Sequence, residues 1–321
     1  MRWPARGSKL RLPPMARIAA DATWLIGGTP LVELARLAPT GTRLLGKVEA
    51  FNPTGSNKDR AALGMIRQAE RNGALSAGGT IVECSGGDLG LSVAFVGKRL
   101  GYRVVLTTPE GMPENRRTLL ALLGAEVVMT PACEGMRGAM TRADQLAKQS
   151  PGAVCLQAFT NRANSRQHAE STAREIWQDT DGQVAAVVVP IGTGGTAAGC
   201  ASFFKELGVA VYGVEPAASP VLGGGCAGAH DIPGLGAGFI PEILNPKELA
   251  GVMQVEDHDA AQGVRMLARD EGLLLGPASG AVLHAARQLG ARPGMAGKMI
   301  VAVLPDRADR YPEHHAMRLP G

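Results

Sequence analysis

The sequence predicts an α/β fold of two doubly wound, mostly parallel-sheet lobes, and three observations carry that expectation. Short β-branched runs bounded by turn residues alternate with helical stretches along nearly the whole chain. Regular alternation of this kind implies parallel sheets covered on both faces. Glycine supplies 43 of the 321 residues, nearly double the usual share of roughly 7 %, which suits tightly packed layers joined by glycine-lined turns. Eight strand-helix units exceed one compact domain, so two lobes with a ligand cleft between them are expected.

Residues 1–17 carry five basic residues, three prolines and no acid. Transit peptides are basic and acid-poor, but this stretch lacks their amphipathic pattern. It reads as a disordered extension, or as a start assigned too early with Met15 as initiator. Beyond it the strand candidates are 43–49, 80–83, 103–107, 126–130, 185–189, 211–214 and 299–304, each a short β-branched run between turn residues. The helical stretches between and after them are 58–71, 89–100, 114–123, 137–148, 164–178, 196–207, 257–270 and 279–289.

Composition removes several classes of function. The longest apolar run, around 184–191, contains Pro190 and ends in glycines, far short of the roughly 18 residues of a membrane span. A net charge of +4 spread along the chain, with three Trp, three Tyr and six Phe, gives no nucleic-acid footprint and few rings to stack bases. Cys84, Cys133, Cys155, Cys200 and Cys226 form no CxxC pair. They read as reduced thiols of a soluble cytoplasmic protein, without a zinc pattern. The six histidines show no HxxxH spacing and no clustering with acids; His168 reads as structural or solvated.

Five segments could carry chemistry. Asn52-Pro53-Thr54-Gly55-Ser56 is a turn, and Ser56 or Asn57 can cap the helix behind it. Lys58 precedes Ala62, Met65, Ile66 and Ala69 by 4, 7, 8 and 11 positions, which places it on the inward stripe. Lost hydration lowers an ammonium's pKa and suits it to Schiff-base formation; a first-turn lysine can equally snorkel to solvent. Strand 185–189 feeds Gly192-Thr193-Gly194-Gly195-Thr196 and a helix, a turn whose N–H groups converge on an anion. As Gly192-x-Gly194-x-x-Ala197 with Glu215 downstream, it also fits a dinucleotide fingerprint.

The second junction is Cys84-Ser85-Gly86-Gly87-Asp88-Leu89, where Asp88 has a plain reading as helix N-cap. At Gly276-Pro277-Ala278-Ser279, Ser279 opens a helix and either holds a ligand atom or caps. Gly234-Leu235-Gly236-Ala237-Gly238 is too glycine-rich for helix or strand and reads as a loop of close approach. The charges of 306–310 read as a surface turn.

Together, Ile26-Gly-Gly-Thr-Pro-Leu-Val32, the 52–60 segment, the turn at 192–196, Gly213-Val214-Glu215-Pro216, the loop at 234–241 and Ser279-Gly280 resemble the cysteine synthase (O-acetylserine sulfhydrylase) family of fold-type II pyridoxal-phosphate enzymes. The resemblance runs from about residue 26 to 311, and its order and spacing displace the dinucleotide reading. It implies a tryptophan-synthase-β-like architecture: a smaller, movable substrate lobe at 52–162 and a larger cofactor-phosphate lobe from 18–51 with 163–321. It also implies a homodimer. Position by position, Lys58 matches the lysine bonded to pyridoxal 5'-phosphate, and Gly192, Thr193, Gly194, Gly195 and Thr196 match the phosphate cradle. Ser279 matches the serine facing the pyridine nitrogen, and Gly236 the glycine beside the substrate amine. The implied reaction is β-replacement, a transferase chemistry with lyase relatives: Lys58 removes the α-proton of an O-activated L-serine, the β-group leaves, and sulfide adds.

The departures fall on the substrate side. Where the family has Thr-Ser-Gly-Asn-Thr, this chain has Ser85-Gly86-Gly87-Asp88-Leu89, and a family glutamine is Ala158. Side chains expected on the substrate carboxylate are therefore missing at Gly86, Leu89 and Ala158. The asparagine near the cofactor's 3′-oxygen has become Asp88; ionised, it would repel that oxygen, whereas burial would favour the neutral carboxyl. These changes leave open a β-replacement or β-elimination enzyme with another amino-acid substrate, or a weakly catalytic regulatory homologue.

Overall fold

The computed structural model describes residues 18–318; the expectation for 1–17 lies outside them. After a short 3₁₀ turn the chain forms β1 (Leu31–Glu33), β2 (Arg43–Val48), α1 (Lys58–Arg71), β3 (Thr80–Cys84), α2 (Asp88–Arg99), β4 (Arg103–Pro109), α3 (Glu114–Leu122), β5 (Glu126–Thr130), α4 (Gly135–Gln149) and β6 (Ala153–Cys155). Then come α5 (Arg162–His168), a π-helical turn (Ala169–Ala173), α6 (Arg174–Asp179), β7 (Val184–Pro190), α7 (Gly195–Phe204), β8 (Ala210–Pro216), β9 (Gly251–Val255), α8 (Asp257–Glu271), α9 (Pro277–Gly290) and β10 (Met299–Leu304). No described helix is long and apolar enough to cross a membrane.

The strands make two sheets. Six run in the order β1-β2-β10-β7-β8-β9, with β1 antiparallel to β2 and the other pairs parallel. Four run parallel as β5-β4-β3-β6. Strands such as β10, buried at all six positions, read as continuous apolar runs because helices cover both faces. One core joins α8 and α9 to a face of the six-stranded sheet, and another packs α7 and Ile176 of α6 on the opposite face. Two further cores enclose the smaller sheet.

Three strands were not expected. β1 and β6 are three residues long and only partly buried, too short for a periodic signal. β9, Gly-Val-Met-Gln-Val, gains its place by pairing with β8. The stretch expected as one helix at 164–178 is broken by the π-helical turn, and Gly199 of α7 packs where α5 runs into it: a Cβ there would stand 2.4 Å from the Ser165 carbonyl oxygen and 2.8 Å from the Ala169 nitrogen.

Candidate active site

A cavity of ≈ 300 Å³ opens where both parallel sheets end: β3 supplies Cys84 and Ser85, β7 Pro190, and β10 leads to Pro305 and Asp306. Cavities at the carboxyl ends of parallel strands are the general ligand position of such folds. Lys58 lines it from the first turn of α1. The turn before it is pinned to the end of β10: Asn57 N–H donates to the Pro305 carbonyl at 3.1 Å, and Ser56 bridges Asp306. Of the expected caps, the Ser56 hydroxyl accepts from Lys58 N–H at 3.3 Å, whereas Asn57 stands at the N-cap without a capping side-chain bond.

Burial lowers the Lys58 pKa, opposed by the charges of Asp88, Asp306 and Glu49. Its Nζ donates to Asn57 Oδ1 at 2.9 Å, and Asn57 Nδ2 donates to Thr196 Oγ1 at 3.0 Å. Thr196 in turn meets His168 Nε2 at 3.4 Å, whose Nδ1 pairs with Thr172 Oγ1 at 2.9 Å. His168 is buried, and that burial, with the Arg60 charge behind it, drives its pKa down to about 3. The neutral ring belongs to this chain of bonds rather than to solvent. Sequence spacing pointed to neither Asn57 nor His168 as a link between Lys58 and the glycine turn.

That turn caps α7 without a side chain. Gly194, at the N-cap, has φ +84°, and first-turn N–H groups have no intrahelical acceptor. Gly192 and Thr193 line the cavity; Gly194, Gly195 and Thr196 do not. The Thr193 hydroxyl is held by Asn164 Nδ2 at 3.1 Å. A Cβ at Gly192 would stand 2.3 Å from the Gly234 carbonyl oxygen, so the glycine loop closes directly on this turn. Gly236 lines the cavity and donates its N–H to the Ile191 carbonyl at 3.0 Å.

The second junction corrects one expectation. Asp88 is not an N-cap: Gly87 holds that position, and Asp88 is the first helical residue, turned into the cavity. Its Oδ2 accepts from the Tyr311 hydroxyl at 3.3 Å, while Oδ1 is buried with no hydrogen-bond partner among the described residues. The Arg116 guanidinium stands 3.5 Å from Oδ1, donates to the Gly86 carbonyl at 3.1 Å and lies 5.6 Å from the Tyr311 ring centre. Ser85, Gly87 and Leu89 line the cavity, but Gly86 does not. A Cβ at Gly86 would stand 2.3 Å from Thr108 Oγ1, so a threonine of β4 fills the space of a side chain there. Ala158 also lies off the cavity, donating to Glu83 Oε2 at 3.2 Å and accepting from Asn164 Nδ2 at 2.9 Å.

Asp306 is no surface turn. It is 2 % exposed and takes N–H bonds from Ala278 (3.2 Å) and Ser279 (2.9 Å), besides the Ser279 hydroxyl at 2.6 Å. Burial pushes its carboxyl up to about 7 against those bonds. Ser279 sits in the first turn of α9, which Pro277 opens. Its side chain is buried and faces Asp306, beside the cavity wall formed by Ala278. Histidines and acids do meet in space: His314 and His315 contact Asp231, and His258 and His284 contact Asp259. His314 Nδ1 accepts from Ala316 N–H, so its proton sits on Nε2 toward Asp231, which ties the C-terminal segment to the loop before Gly234.

One cavity thus brings Lys58 together with Gly192 and Thr193, the residues that lead into the uncapped N-terminus of α7, an arrangement in keeping with the class of enzyme to which its relatives belong. The chain belongs to the pyridoxal-phosphate dependent enzyme family, whose model matches residues 23–306. It is 42 % identical over 303 residues to the probable cysteine synthase of Bacillus subtilis (strain 168), spanning 92 % of this chain and 97 % of the relative. Its fold is similar to that of cysteine synthase (OASS) from Entamoeba histolytica, with a TM-score of 0.92 and 36 % identity over 97 % of this chain and 94 % of that one. O-ureido-L-serine synthase is also similar, at TM-score 0.89 and 34 % identity over 94 % of this chain and 95 % of that one.

Proposed function

We propose that this chain is a cysteine synthase, converting O-acetyl-L-serine or O-phospho-L-serine and sulfide into L-cysteine. The observation that carries the reading is Lys58, partly buried in the cavity and tied through Asn57 to the glycine-threonine turn of α7, in a chain 42 % identical to a probable cysteine synthase. The residues fit pyridoxal phosphate: the N–H groups and hydroxyls of Gly192, Thr193, Gly194, Gly195 and Thr196 would hold its phosphate, Lys58 its carbonyl carbon, and Asp88 its ring, with Ser279 approaching from beside the wall formed by Ala278. When bound, the cofactor supplies the electron sink for breaking the Cα–H and Cβ–O bonds.

The chain's own groups do the rest. Lys58 Nζ, with its lowered pKa, takes the proton from the substrate Cα and returns it. The Ser85 hydroxyl accepts from the N–H groups of Gly87 and Gly90 at 3.2 and 3.0 Å, which leaves its proton for the substrate. Gly86, Gly87 and Leu89 contribute through the backbone at the start of α2, Ala158 supports Asn164 from behind, and Gly236 borders the substrate amine. The lobe at 52–162 closes over the larger one at 18–51 and 163–321. Exposed Trp24, Leu25 and Phe51 support a homodimer, and five free thiols support a cytoplasmic setting.

The test supplies the cofactor-loaded protein with sulfide and, separately, O-acetyl-L-serine, O-phospho-L-serine and L-serine, and quantifies L-cysteine. One activated serine is expected to yield cysteine and free serine none; absence of cysteine from all three overturns the reading. The filled space at Gly86 and the apolar Leu89 favour a second reading, the same β-replacement with another nucleophile or donor. That enzyme would consume an activated serine without making cysteine.

A further inference from the structure

We propose that Arg116 is the side chain that receives the substrate's α-carboxylate, an inference that rests on the amino-acid substrate proposed above. Position 86 cannot carry a side chain while Thr108 Oγ1 stands 2.3 Å from where its Cβ would be, and Leu89 offers no donor. A carboxylate in this cavity needs charge and N–H groups from elsewhere. Arg116 reaches in from the first turn of α3, with its side chain 13 % exposed. A guanidinium has five N–H donors in a fixed plane. The Gly86 carbonyl takes one, and Asp88 Oδ1, at 3.5 Å, stands beyond hydrogen-bond contact.

The Tyr311 ring supports the group at 5.6 Å, so its plane is set before a ligand arrives. Lys58, the other cation of the cavity wall, is already turned to Asn57 Oδ1. Arg116, though paired with Asp88, is thus the cation with N–H donors to spare for gripping a carboxylate with two parallel bonds, next to the available proton of Ser85. Asp88, close by, allows a plainer role: Arg116 as nothing more than its counter-ion. The two roles separate experimentally.

Isothermal titration of the cofactor-loaded protein with L-serine and with L-serinamide reads the carboxylate alone and needs no turnover. The native protein is expected to prefer L-serine by about 10- to 150-fold, the worth of a charged hydrogen-bonded contact. Arg116→Gln collapses the ratio toward one by weakening L-serine only, and Arg116→Lys retains part of it. A ratio that survives Arg116→Gln, or an equal loss for both ligands, overturns the proposal. So does a ratio restored by adding Asp88→Asn to Arg116→Gln, because that result makes Arg116 a counter-ion. Carboxylate preference without cysteine production would sustain Arg116 while rejecting the cysteine synthase reading.

Discussion

Arg60→Met tests how α1 is held. Arg60 is buried two residues beyond Lys58 and grips two carboxylates. Its Nε and Nη2 meet Glu49 at 2.7 and 2.9 Å, and Nη1 and Nη2 meet Glu175 at 2.6 and 2.7 Å. Burial alone would raise the pKa of Glu49, but the Arg60 charge and bonds from Arg60 and Thr29 bring it below the ordinary value. Against its own burial, Glu175 is pulled to about 2 by Arg60 and Lys47. Removing one partner of a buried ion pair costs about 3–5 kcal/mol, because a charge is left without compensation. At an unfolding entropy of about 2.1 cal/mol/K per residue, the whole chain loses roughly 4–7 °C of melting temperature.

The pH dependence carries the sharper test. In the native protein the depressed carboxylates contribute stability above their unfolded pKa of about 4.5, which is lost as pH falls toward 2. In Arg60→Met, burial governs Glu49 and its pKa rises above the unfolded value. That group then stabilises at low pH and ceases to as pH rises. The gap in melting temperature should therefore be wider at pH 8 than at pH 5, and adding Glu49→Gln should narrow it at pH 8. A variant melting within about 1 °C of the native protein at pH 8 would mean that Arg60 does not hold Glu49 and Glu175 in place, as would a gap of equal width at both values.

Four further outcomes follow from the site. Gly86→Ser should lose about 1–3 kcal/mol to overpacking against Thr108, recovered in part by Thr108→Ala; urea melts of the three variants decide it. Burial raises Glu83 from 4.5 to about 7, so the native state holds a proton that the unfolded state releases. Stability should fall by about 3 kcal/mol as pH rises through that window, and Glu83→Gln should flatten the slope; an unchanged slope removes Glu83 from the account. Asn57→Val should weaken pyridoxal phosphate binding about 10-fold by taking a hydrogen bond from both Lys58 and Thr196, and equilibrium dialysis showing no loss would disprove that link. Lys58→Ala should abolish the visible absorption of the cofactor-loaded protein, whereas an unaltered band would remove Lys58 from the chemistry.

The regular strand-helix rhythm was legible in the sequence because buried parallel strands are continuous apolar runs, as β7 and β10 show. Lys58, on the inward stripe of its helix, and the glycine turn, at a strand-helix junction, were legible as cavity residues from spacing, and both line the cavity, the turn through Gly192 and Thr193. Asp306 was not. Its neighbours Arg307, Asp309 and Arg310 gave it the look of a solvated turn, yet strand β10 carries it under the first turn of α9, whose N–H groups draw it inward. Arg116 was equally silent, one of two adjacent arginines on a half-exposed helix. Its role emerges only where β10 brings Tyr311 beside it. Neither Thr108 filling the space at Gly86 nor the Asn57–Thr196 bond could be found from spacing, because each joins residues brought together by the sheets.

The position of β10 has a consequence for how the protein is made. It lies between β2 and β7 and pairs Met299–Leu304 with Arg43–Val48, although it follows every other described strand in the chain. The four-stranded sheet is complete once Cys155 has emerged. The larger sheet keeps an open slot at its centre until residue 304. At about 5–20 residues per second the stretch from Pro190 to Leu304 takes roughly 6–23 s, during which the edges of β2 and β7 that β10 pairs stay open. The two sheets thus differ in when their strands become available: the four-stranded one has all of its strands by Cys155, whereas the six-stranded one waits for β10.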